Sequence, residues 1–283
     1  MVLPPGQVNR SADDSLSLGV SDSGIELLER LVSSEQAGRA GSYQLERLTA
    51  KAGSRVVEAG RAFHELMLVS HGHLKTVFSD ENGNEQVVGF PVRGDLLGTD
   101  GISDNCYIND VVTLTDVELL LIPFTDLHSL QLVHPGIVDS LFRIISQQLV
   151  QEQLALTAIG ALSAESRVAR FLLKLQSQRE MQGEESGTLY LRMTRQDIGN
   201  YLGMKIETVS RTLSLLASQG LLDVSQRRIE ILTRGGLEAV AFDGPLRTIQ
   251  VPRKTVRPSK AKSASAGRTS SPATPWSGLL DLN

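Results

Sequence analysis

Glu207, Ser210 and Arg211 lie within about one turn of each other in a segment that has helical periodicity. An arginine can donate hydrogen bonds to O6 and N7 of guanine, a glutamate accepts from the cytosine amino group, and a serine can pair with several bases. Apolar residues occupy the opposite side of the helix: Val209, Leu213, Leu216 and Ala217. The pattern predicts a helix whose N-terminal end reads bases in the major groove of DNA.

The preceding residues predict that this is the second helix of a helix-turn-helix. Thr194 and Asp197 have the spacing of a capping box, in which each side chain accepts a hydrogen bond from the other residue's backbone. Gly203 supplies the tight turn, and the second helix is predicted at about Ile206–Gln219, with Gly220 as its stop. The alternative is a surface helix with solvated charges. It accounts for a single Glu or Arg, but not for the cap, the turn and the polar tip together.

Two short apolar segments follow, Leu221–Val224 and Ile229–Leu232, and predict a hairpin with the basic tip Ser225–Arg228, the wing of a winged helix-turn-helix. Residues 192–234 contain seven basic and four acidic residues, a net charge of +3, whereas the whole chain has a net charge of −4. Contacts to phosphates require local positive charge rather than a basic protein. The candidate contacts to the DNA backbone are Thr194, Arg195, Lys205, Thr208, Arg227 and Arg228.

The composition argues against several classes of protein. A chain of 283 residues with 41% apolar content is long enough for two folded domains with tails. It has no run of 18 apolar residues and no signal-peptide pattern at its N-terminus, so neither a membrane span nor secretion is predicted. One cysteine rules out an intramolecular disulfide and agrees with a cytoplasmic location. The sequence shows no metal-binding motif and no pairing of a nucleophile with a base, so an enzyme is not predicted.

Short apolar segments separated by glycine-containing turns predict a β-roll or jelly roll before the long helix. The predicted fold class is therefore α+β. The predicted strands are Arg55–Glu58, Leu66–His71, Leu74–Phe78, Gln86–Pro91, Asp110–Thr115 and Val117–Pro123. The five predicted parts are a partly disordered arm at 1–42 with a short helix at Ile25–Val32, the β-roll at 43–133, the long helix at 134–162, the winged helix-turn-helix at 163–241 and a disordered tail at 242–283.

The tail is basic, because residues 245–283 hold seven basic residues and one acid, a net charge of +6. Either it strengthens non-specific DNA binding, or it is a solvated tail with no specific role. The sequence leaves both alternatives open.

The long helix is predicted to begin near Pro135 and to carry a heptad seam, since apolar residues recur at alternating steps of four and three. This seam predicts a two-helix coiled coil between subunits, and the alternative is a helix that packs on its own domain. Dimerisation suits DNA reading, because paired half-sites need paired recognition helices. The seam residues are Val138, Phe142, Ile145, Leu149, Glu152, Leu156 and Ile159.

Glu152 is the one acidic residue in this seam. In a parallel dimer it would face its own mate, and two carboxylates at close range repel each other. Our hypothesis is that Glu152 weakens the dimer and makes assembly tunable by an effector or by pH. The alternative is that its side chain turns to the edge of the seam and is solvated.

Three motifs resemble the CRP/FNR family of bacterial transcription regulators: GNEQVVGFPVRGDLLG at Gly83–Gly98, LLIPF at Leu120–Phe124 and MTRQDIGNYLGMKIETVSR at Met193–Arg211. The resemblance covers about residues 43–241, and the third motif is most similar to the FNR branch. It implies a homodimer on a palindrome that recruits or blocks RNA polymerase. It also implies that a TTGA-containing half-site is read by the residues that match the motif, Glu207, Ser210 and Arg211.

The same resemblance marks the loop around Asn82–Gln86 as similar to a polymerase-contacting surface. The residues that would make this contact are Asn82, Gly83, Asn84 and Glu85. The alternative is a plain hairpin turn.

The chain departs from the family in its sensor residues, so no cofactor is predicted. Cyclic-nucleotide sensors of the family hold the phosphate with an arginine, but residues 94–142 contain no Lys or Arg, and we expect no tight cAMP binding. Oxygen sensors of the FNR branch hold a [4Fe–4S] cluster with four cysteines, and this chain has only Cys106. Cys106 is either a redox-active thiol or, in the favoured interpretation, an inert loop residue.

His71 and His73 could serve as axial haem ligands, but ordinary turn or surface histidines are the favoured interpretation. A second function class is also open. The chain could be a β-roll module that senses haem, redox state or a small molecule and uses its helix-turn-helix mainly for protein contacts.

Overall fold

The structure, a computed structural model, describes residues 45–133, 136–181 and 187–242. All of these residues belong to one unit of the chain. The predicted N-terminal arm with its helix at Ile25–Val32 and the predicted basic tail lie outside the described residues.

Eight strands of the first domain form two four-stranded antiparallel sheets, which confirms the predicted β-roll. The strands are β1 (Arg47–Ala50), β2 (Arg55–Val57), β3 (Glu65–His71), β4 (Leu74–Ser79), β5 (Glu85–Gly89), β6 (Leu96–Leu97), β7 (Asp110–Thr113) and β8 (Val117–Pro123). One sheet has the order β1-β8-β3-β6 and the other β2-β7-β4-β5. All six predicted strands are present, whereas β1 and the short β6 were not predicted.

The centre of the first sheet supplies the core of the roll. Leu66–Val69 on β3 and Leu119–Ile122 on β8 are at most 8% exposed, and Leu68 lies directly opposite Leu120. Both faces of these strands are covered, so their sequences are continuous apolar runs rather than alternations. Each fully buried leucine stabilises the fold by about 1.5–3 kcal/mol relative to an exposed one.

Two helices follow the roll, α1 (Leu127–Val133) and α2 (Ile137–Ala161), and α2 is the predicted long helix. Ile137, Leu141 and Ile144 are buried and belong to the core of the roll. Two residues of the predicted seam, Val138 and Ile145, are partly buried against that core. The other apolar seam residues are exposed in the single chain: Phe142, Leu149, Leu156 and Ile159.

The second domain is a winged helix-turn-helix, as predicted. Its elements are α3 (Ala164–Met181), β9 (Thr188–Tyr190), α4 (Arg195–Leu202), α5 (Ile206–Ser218), β10 (Leu222–Ser225), β11 (Arg228–Ile231) and α6 (Arg234–Ala241). The three strands form one antiparallel sheet with the order β10-β11-β9. Its core includes Phe171, Leu189, Ile198, Leu213 and Ile229. None of the helices in the described part of the chain is long and apolar enough to cross a membrane.

Two glycines fix how α4 meets α5. A Cβ on Gly199 would lie 2.7 Å from the carbonyl oxygen of Met204, so only glycine allows the backbones to approach this closely. Gly203 ends α4 in the left-handed region, with φ +64°. A Cβ there would lie 3.2 Å from Cγ2 of Ile159 at the end of α2. The turn is therefore packed against the long helix as well as between α4 and α5.

We expect Gly199→Ala to destabilise the protein by about 1–3 kcal/mol, because the new methyl group meets backbone atoms that cannot turn away. Gly235→Ala is the matched control: it lies in helix α6 of the same domain, and a Cβ there meets nothing within 4 Å. The control is expected to be neutral or to stabilise by about 0.5–1 kcal/mol. Urea unfolding followed by circular dichroism measures both, and equal effects would contradict the packing argument.

Candidate nucleic-acid interface

The first helix of the helix-turn-helix, α4, begins with the predicted capping box. The backbone N–H of Asp197 donates to Oγ1 of Thr194 at 3.0 Å, and the N–H of Thr194 donates to Oδ2 of Asp197 at 2.9 Å. The Thr194 hydroxyl also donates to Oδ2 of Asp197 at 2.6 Å. Because this hydroxyl already donates and accepts a hydrogen bond within the cap, Thr194 is a weak candidate for a hydrogen bond to a phosphate, although it is exposed.

The recognition helix, α5, separates its two faces as predicted. Val209, Leu213 and Leu216 are at most 2% exposed and form part of the core. On the other side Glu207 and Arg211 are exposed, and neither side chain makes a hydrogen bond or an ion pair with any described residue. Their hydrogen-bonding groups are therefore available to base edges.

Ser210 lies between these two charged residues on the helix and is partly exposed. Its carbonyl oxygen accepts a hydrogen bond from the Ser214 hydroxyl at 3.1 Å, whereas its own hydroxyl makes no hydrogen bond to a described residue. The structure thus brings the three predicted base-reading residues together at the start of one exposed helix face.

Three of the six candidate backbone contacts, Thr194, Arg195 and Arg227, line an open cleft of about 380 Å³ between the start of α4 and the wing. Arg195 lines this cleft, and its Nη2 donates to the carbonyl oxygen of Gln226 at 3.2 Å. Lys205, the N-cap residue of α5, is exposed, and Thr208 one turn later is partly exposed. The other residues that line the cleft are Leu191, Met193, Thr194, Gln226 and Arg227.

The wing distinguishes its two arginines. Arg227 lies at the tip beside Gln226, which has φ +53°, and is exposed with no side-chain hydrogen bond or ion pair to a described residue. Arg228 is already paired, with Nη2 at 2.6 Å from Oε2 of Glu230 and Nη1 at 3.7 Å from Oδ2 of Asp223. The period of two along a strand places Arg228 and Glu230 on one face, a signal present in the sequence. The charge of Arg228 is thus largely balanced within the wing.

One residue of this region was missed by the sequence analysis. Lys75 on β4 of the roll places its Nζ 2.7 Å from Oδ1 of Asp197. Burial raises the pKa of Asp197, but hydrogen bonds from Lys75 and Thr194 outweigh it and hold the pKa below its usual value. In the sequence Lys75 is one of several polar residues in a short strand, LKTVFS, and no local pattern connects it with the helix-turn-helix.

Sequence comparisons match both domains to known families. The family described as a Crp-like helix-turn-helix domain matches residues 166–240, and the cyclic nucleotide-binding domain family matches residues 47–132. The transcriptional regulatory protein btr of Bordetella pertussis is 32% identical over 203 residues, which cover 69% of this chain and 84% of that protein. This chain belongs to the CRP/FNR family of transcription regulators.

A second relative and a solved structure agree with this assignment. The transcriptional activator protein FnrA of Stutzerimonas stutzeri is 31% identical over 191 residues, which cover 68% of this chain and 78% of that protein. The structure of FixK2 from Bradyrhizobium japonicum has a TM-score of 0.63 at 24% identity and covers 70% of this chain and 98% of that chain, which shows the shared fold. Like its family, the chain is a DNA-binding transcription regulator and not an enzyme.

In the β-roll, side-chain hydrogen bonds within the loop after β6 hold that loop in place. Oδ2 of Asp100 accepts hydrogen bonds from the backbone N–H of Asn109 at 2.9 Å and from its side-chain amide at 2.8 Å. Phe63 meets Tyr107 edge to face with ring centroids 5.4 Å apart. Since residues 94–142 also contain no Lys or Arg, this loop does not fit a cyclic phosphate.

The candidate cofactor ligands of the roll are Cys106, His71 and His73. Cys106 is partly exposed, with its Sγ 3.7 Å from the carbonyl oxygen of Tyr107, and a single thiol does not fit a cluster that needs four. His71 is exposed, and the backbone N–H of His73 donates to Oγ1 of Thr115 at 3.0 Å. The haem hypothesis for these histidines stays a prediction.

The hairpin between β4 and β5 carries the family's candidate polymerase loop. Oδ1 of Asp80 accepts hydrogen bonds from the backbone N–H of Asn82 at 2.9 Å and of Asn84 at 2.8 Å. Its Oδ2 accepts from the Asn84 side chain at 2.7 Å, and hydrogen bonds from Asn84 and Asn82 lower the pKa of Asp80. Asn82, Gly83, Asn84 and Glu85 are all exposed. Asp80 therefore fixes the shape of the tip and leaves these residues accessible.

We expect Arg227→Ala to weaken binding to all DNA sequences about equally and to reduce the slope of log K against log salt by about 1, because an unpaired charge at the wing tip is free to contact a phosphate. Arg228→Ala is expected to change the slope less, since its charge is already balanced. Anisotropy titrations at several salt concentrations measure both variants. A larger slope change for Arg228→Ala than for Arg227→Ala would show that Arg228, and not Arg227, makes the phosphate contact.

Proposed function

We propose that this regulator acts in the bacterial cytoplasm as a homodimer that reads a palindromic TTGA-type site and thereby alters the recruitment of RNA polymerase. The observation that carries the proposal is the set of Glu207, Ser210 and Arg211 at the N-terminal end of a recognition helix, exposed or partly exposed and with side chains that bond to no described residue. A guanidinium, a carboxylate and a hydroxyl on one face can discriminate a guanine and a cytosine within one half-site. Arg195, Lys205 and Arg227 would fix the register on the backbone.

The long helix supports the dimer. Phe142, Leu149 and Leu156 are 66%, 53% and 70% exposed in the single chain, although all three are large and apolar. Past the last contacts with the roll, none of the α2 residues at 149–157 is buried by the described chain itself. A second copy of the same helix, packed through the heptad positions, would remove this apolar stripe from water.

The polymerase contact rests on the hairpin at Asn82–Glu85. Its tip is exposed and is held in one conformation by Asp80, as a docking surface requires. Docking a preformed loop costs less conformational entropy than docking a flexible one. We propose that this loop touches RNA polymerase when the dimer is bound next to a promoter.

Regulation in this proposal uses neither an iron–sulfur cluster within one subunit nor tight cAMP binding. The single Cys106 and the absence of Lys and Arg from residues 94–142 support both statements. Absorption spectroscopy and metal analysis of anaerobically purified protein test the first, and they also test the haem hypothesis.

The central test compares binding of a palindromic TTGA-type duplex with binding of a scrambled duplex of the same composition. Specific regulators typically prefer their site by about 10³-fold or more at physiological salt. Equal affinity for the two duplexes would contradict sequence-specific reading and favour a helix-turn-helix that contacts proteins.

We expect Arg211→Ala to cost about 1–3 kcal/mol of binding free energy and to relax the preference at one guanine of each half-site, because a bidentate contact is lost. Titration of duplexes with single base changes measures this. Arg61→Ala, in the roll and paired with Glu58, is the control and should bind as the wild type does. A uniform loss across all duplexes would instead make Arg211 a phosphate contact.

We expect Glu152→Leu to tighten the dimer about tenfold, or about 1.4 kcal/mol, because a leucine at a seam position replaces two facing carboxylates. Gln151→Leu adds the same side chain at an exposed position next to the seam and is the control. Sedimentation at several concentrations measures assembly, and gel shifts measure the accompanying gain in DNA binding. Unchanged assembly would show that Glu152 is solvated at the edge.

A further inference from the structure

The carboxylate of Asp197, which caps the first helix of the helix-turn-helix, also pairs with a lysine of the β-roll. One oxygen of Asp197 accepts the two hydrogen bonds of the cap from Thr194, and the other lies 2.7 Å from Nζ of Lys75. The two partners are 122 residues apart in the chain. The start of α4 is therefore bound on one side by its own backbone and on the other by the β-roll.

This ion pair differs from a surface pair of the same length. The side chains of Lys75 and Asp197 are 23% and 10% exposed, whereas those of Lys51 and Asp116, also 2.7 Å apart, are 87% and 60% exposed. Exposed pairs contribute little because water screens them, while a charge-assisted hydrogen bond in a mostly buried site is stronger and costly to break. The lowered pKa of Asp197 agrees with a carboxylate stabilised by these donors.

Further contacts hold α4 and its neighbour α3 against the same face of the roll. The Gln86 side chain donates to the carbonyl oxygen of Asn200 near the end of α4. The ring of Phe90 lies 5.2 Å from that of Tyr201 and 5.9 Å from that of Phe171. Aromatic pairs at these distances stabilise a contact beyond the area they bury. The helix is thus held at its start by Lys75 and towards its end by Gln86 and Phe90.

The recognition helix α5 packs closely on α4: a Cβ on Gly199 would lie 2.7 Å from the carbonyl oxygen of Met204, and only the short turn at Gly203 separates the two helices. A shift of α4 is therefore expected to carry α5 with it. We propose that Lys75 is a positioning residue for DNA reading. It lies in the β-roll, holds the capped end of α4 and thereby positions the base-reading face of α5. The proposal rests on the proposed base reading for its DNA measurement, but not for its measurement on the free protein.

The test compares three variants of the full chain. Lys75→Met keeps the aliphatic stem but removes the charge, Lys75→Arg restores it, and Lys51→Met removes the exposed lysine of the control pair within the roll. Each is titrated with the TTGA-type palindrome at several salt concentrations. Amide hydrogen exchange of α4 is measured without DNA. Should Lys75→Met fail to fold, as judged by far-UV circular dichroism, Lys75→Gln is used in its place.

We expect Lys75→Met to bind the palindrome about tenfold more weakly and to exchange the amides at the start of α4 about tenfold faster, with an unchanged salt slope. Lys75→Arg should recover most of both, and Lys51→Met should match the wild type. A slope reduced by about 1 would overturn the proposal, because Lys75 would then contact a phosphate. Unchanged exchange in α4, or tighter DNA binding, would overturn it as well.

The two proposals fail separately. If the wild type does not distinguish the palindrome from a scrambled duplex, the proposed base reading fails, while exchange in α4 still decides whether Lys75 holds the helix. If the wild type discriminates and Lys75→Met matches it in affinity and in exchange, only the role of Lys75 fails.

Discussion

The side chain of Asp197 is only 10% exposed, and a carboxylate so buried keeps its charge only where donors surround it. This requirement organises the junction between the two domains. Asp197 receives donors from Thr194 immediately before its helix and from Lys75 across the junction. Because they serve one group, the start of the helix, its cap and the packing of the domains cannot vary independently. Loss of either donor leaves a mostly buried charge partly uncompensated, which costs more than the loss of a surface ion pair.

The long helix α2 has a different constraint, since its apolar residues pack on the β-roll at its start and form an exposed stripe further along. Its first turns bury Ile137, Leu141 and Ile144 in the roll, at the spacing of an ordinary amphipathic helix. The stripe that includes Phe142 and Leu149 is offset from this face and is exposed. Val138 and Ile145 of the predicted seam pack on the roll, so the helix packs on its own domain at its start, while the later seam residues stay exposed and free to pair with a second subunit.

The sequence predicted best what depends on neighbouring residues. The cap at Thr194, the turn at Gly203 and the recognition helix, to within one residue at its end, follow from side-chain and backbone chemistry a few positions apart. The long helix and the six predicted strands follow from periodicity in the same way.

What it missed depends on distant partners. Strand β1 is a short edge strand at Arg47–Ala50 with little apolar periodicity, and it is defined by its pairing with β8. The pairing of Lys75 with Asp197 depends on tertiary packing between domains, which no window of sequence contains. The pairing of Arg228 was partly accessible, because Glu230 follows it on the same face of its strand.

The packing of Ile159 beside the glycine turn has a genetic consequence. A Cβ at position 203 would press on the residue that ends the predicted seam, at 3.2 Å. A side chain larger than hydrogen in the turn would therefore push on Ile159 near the end of α2, the helix proposed to join the subunits, although position 203 belongs to the DNA-binding domain. Selections for altered subunit assembly would then recover substitutions in the turn, and compensating changes would arise at position 159. Substitutions at positions 203 and 159 would thus depend on each other, although the two positions lie in different domains.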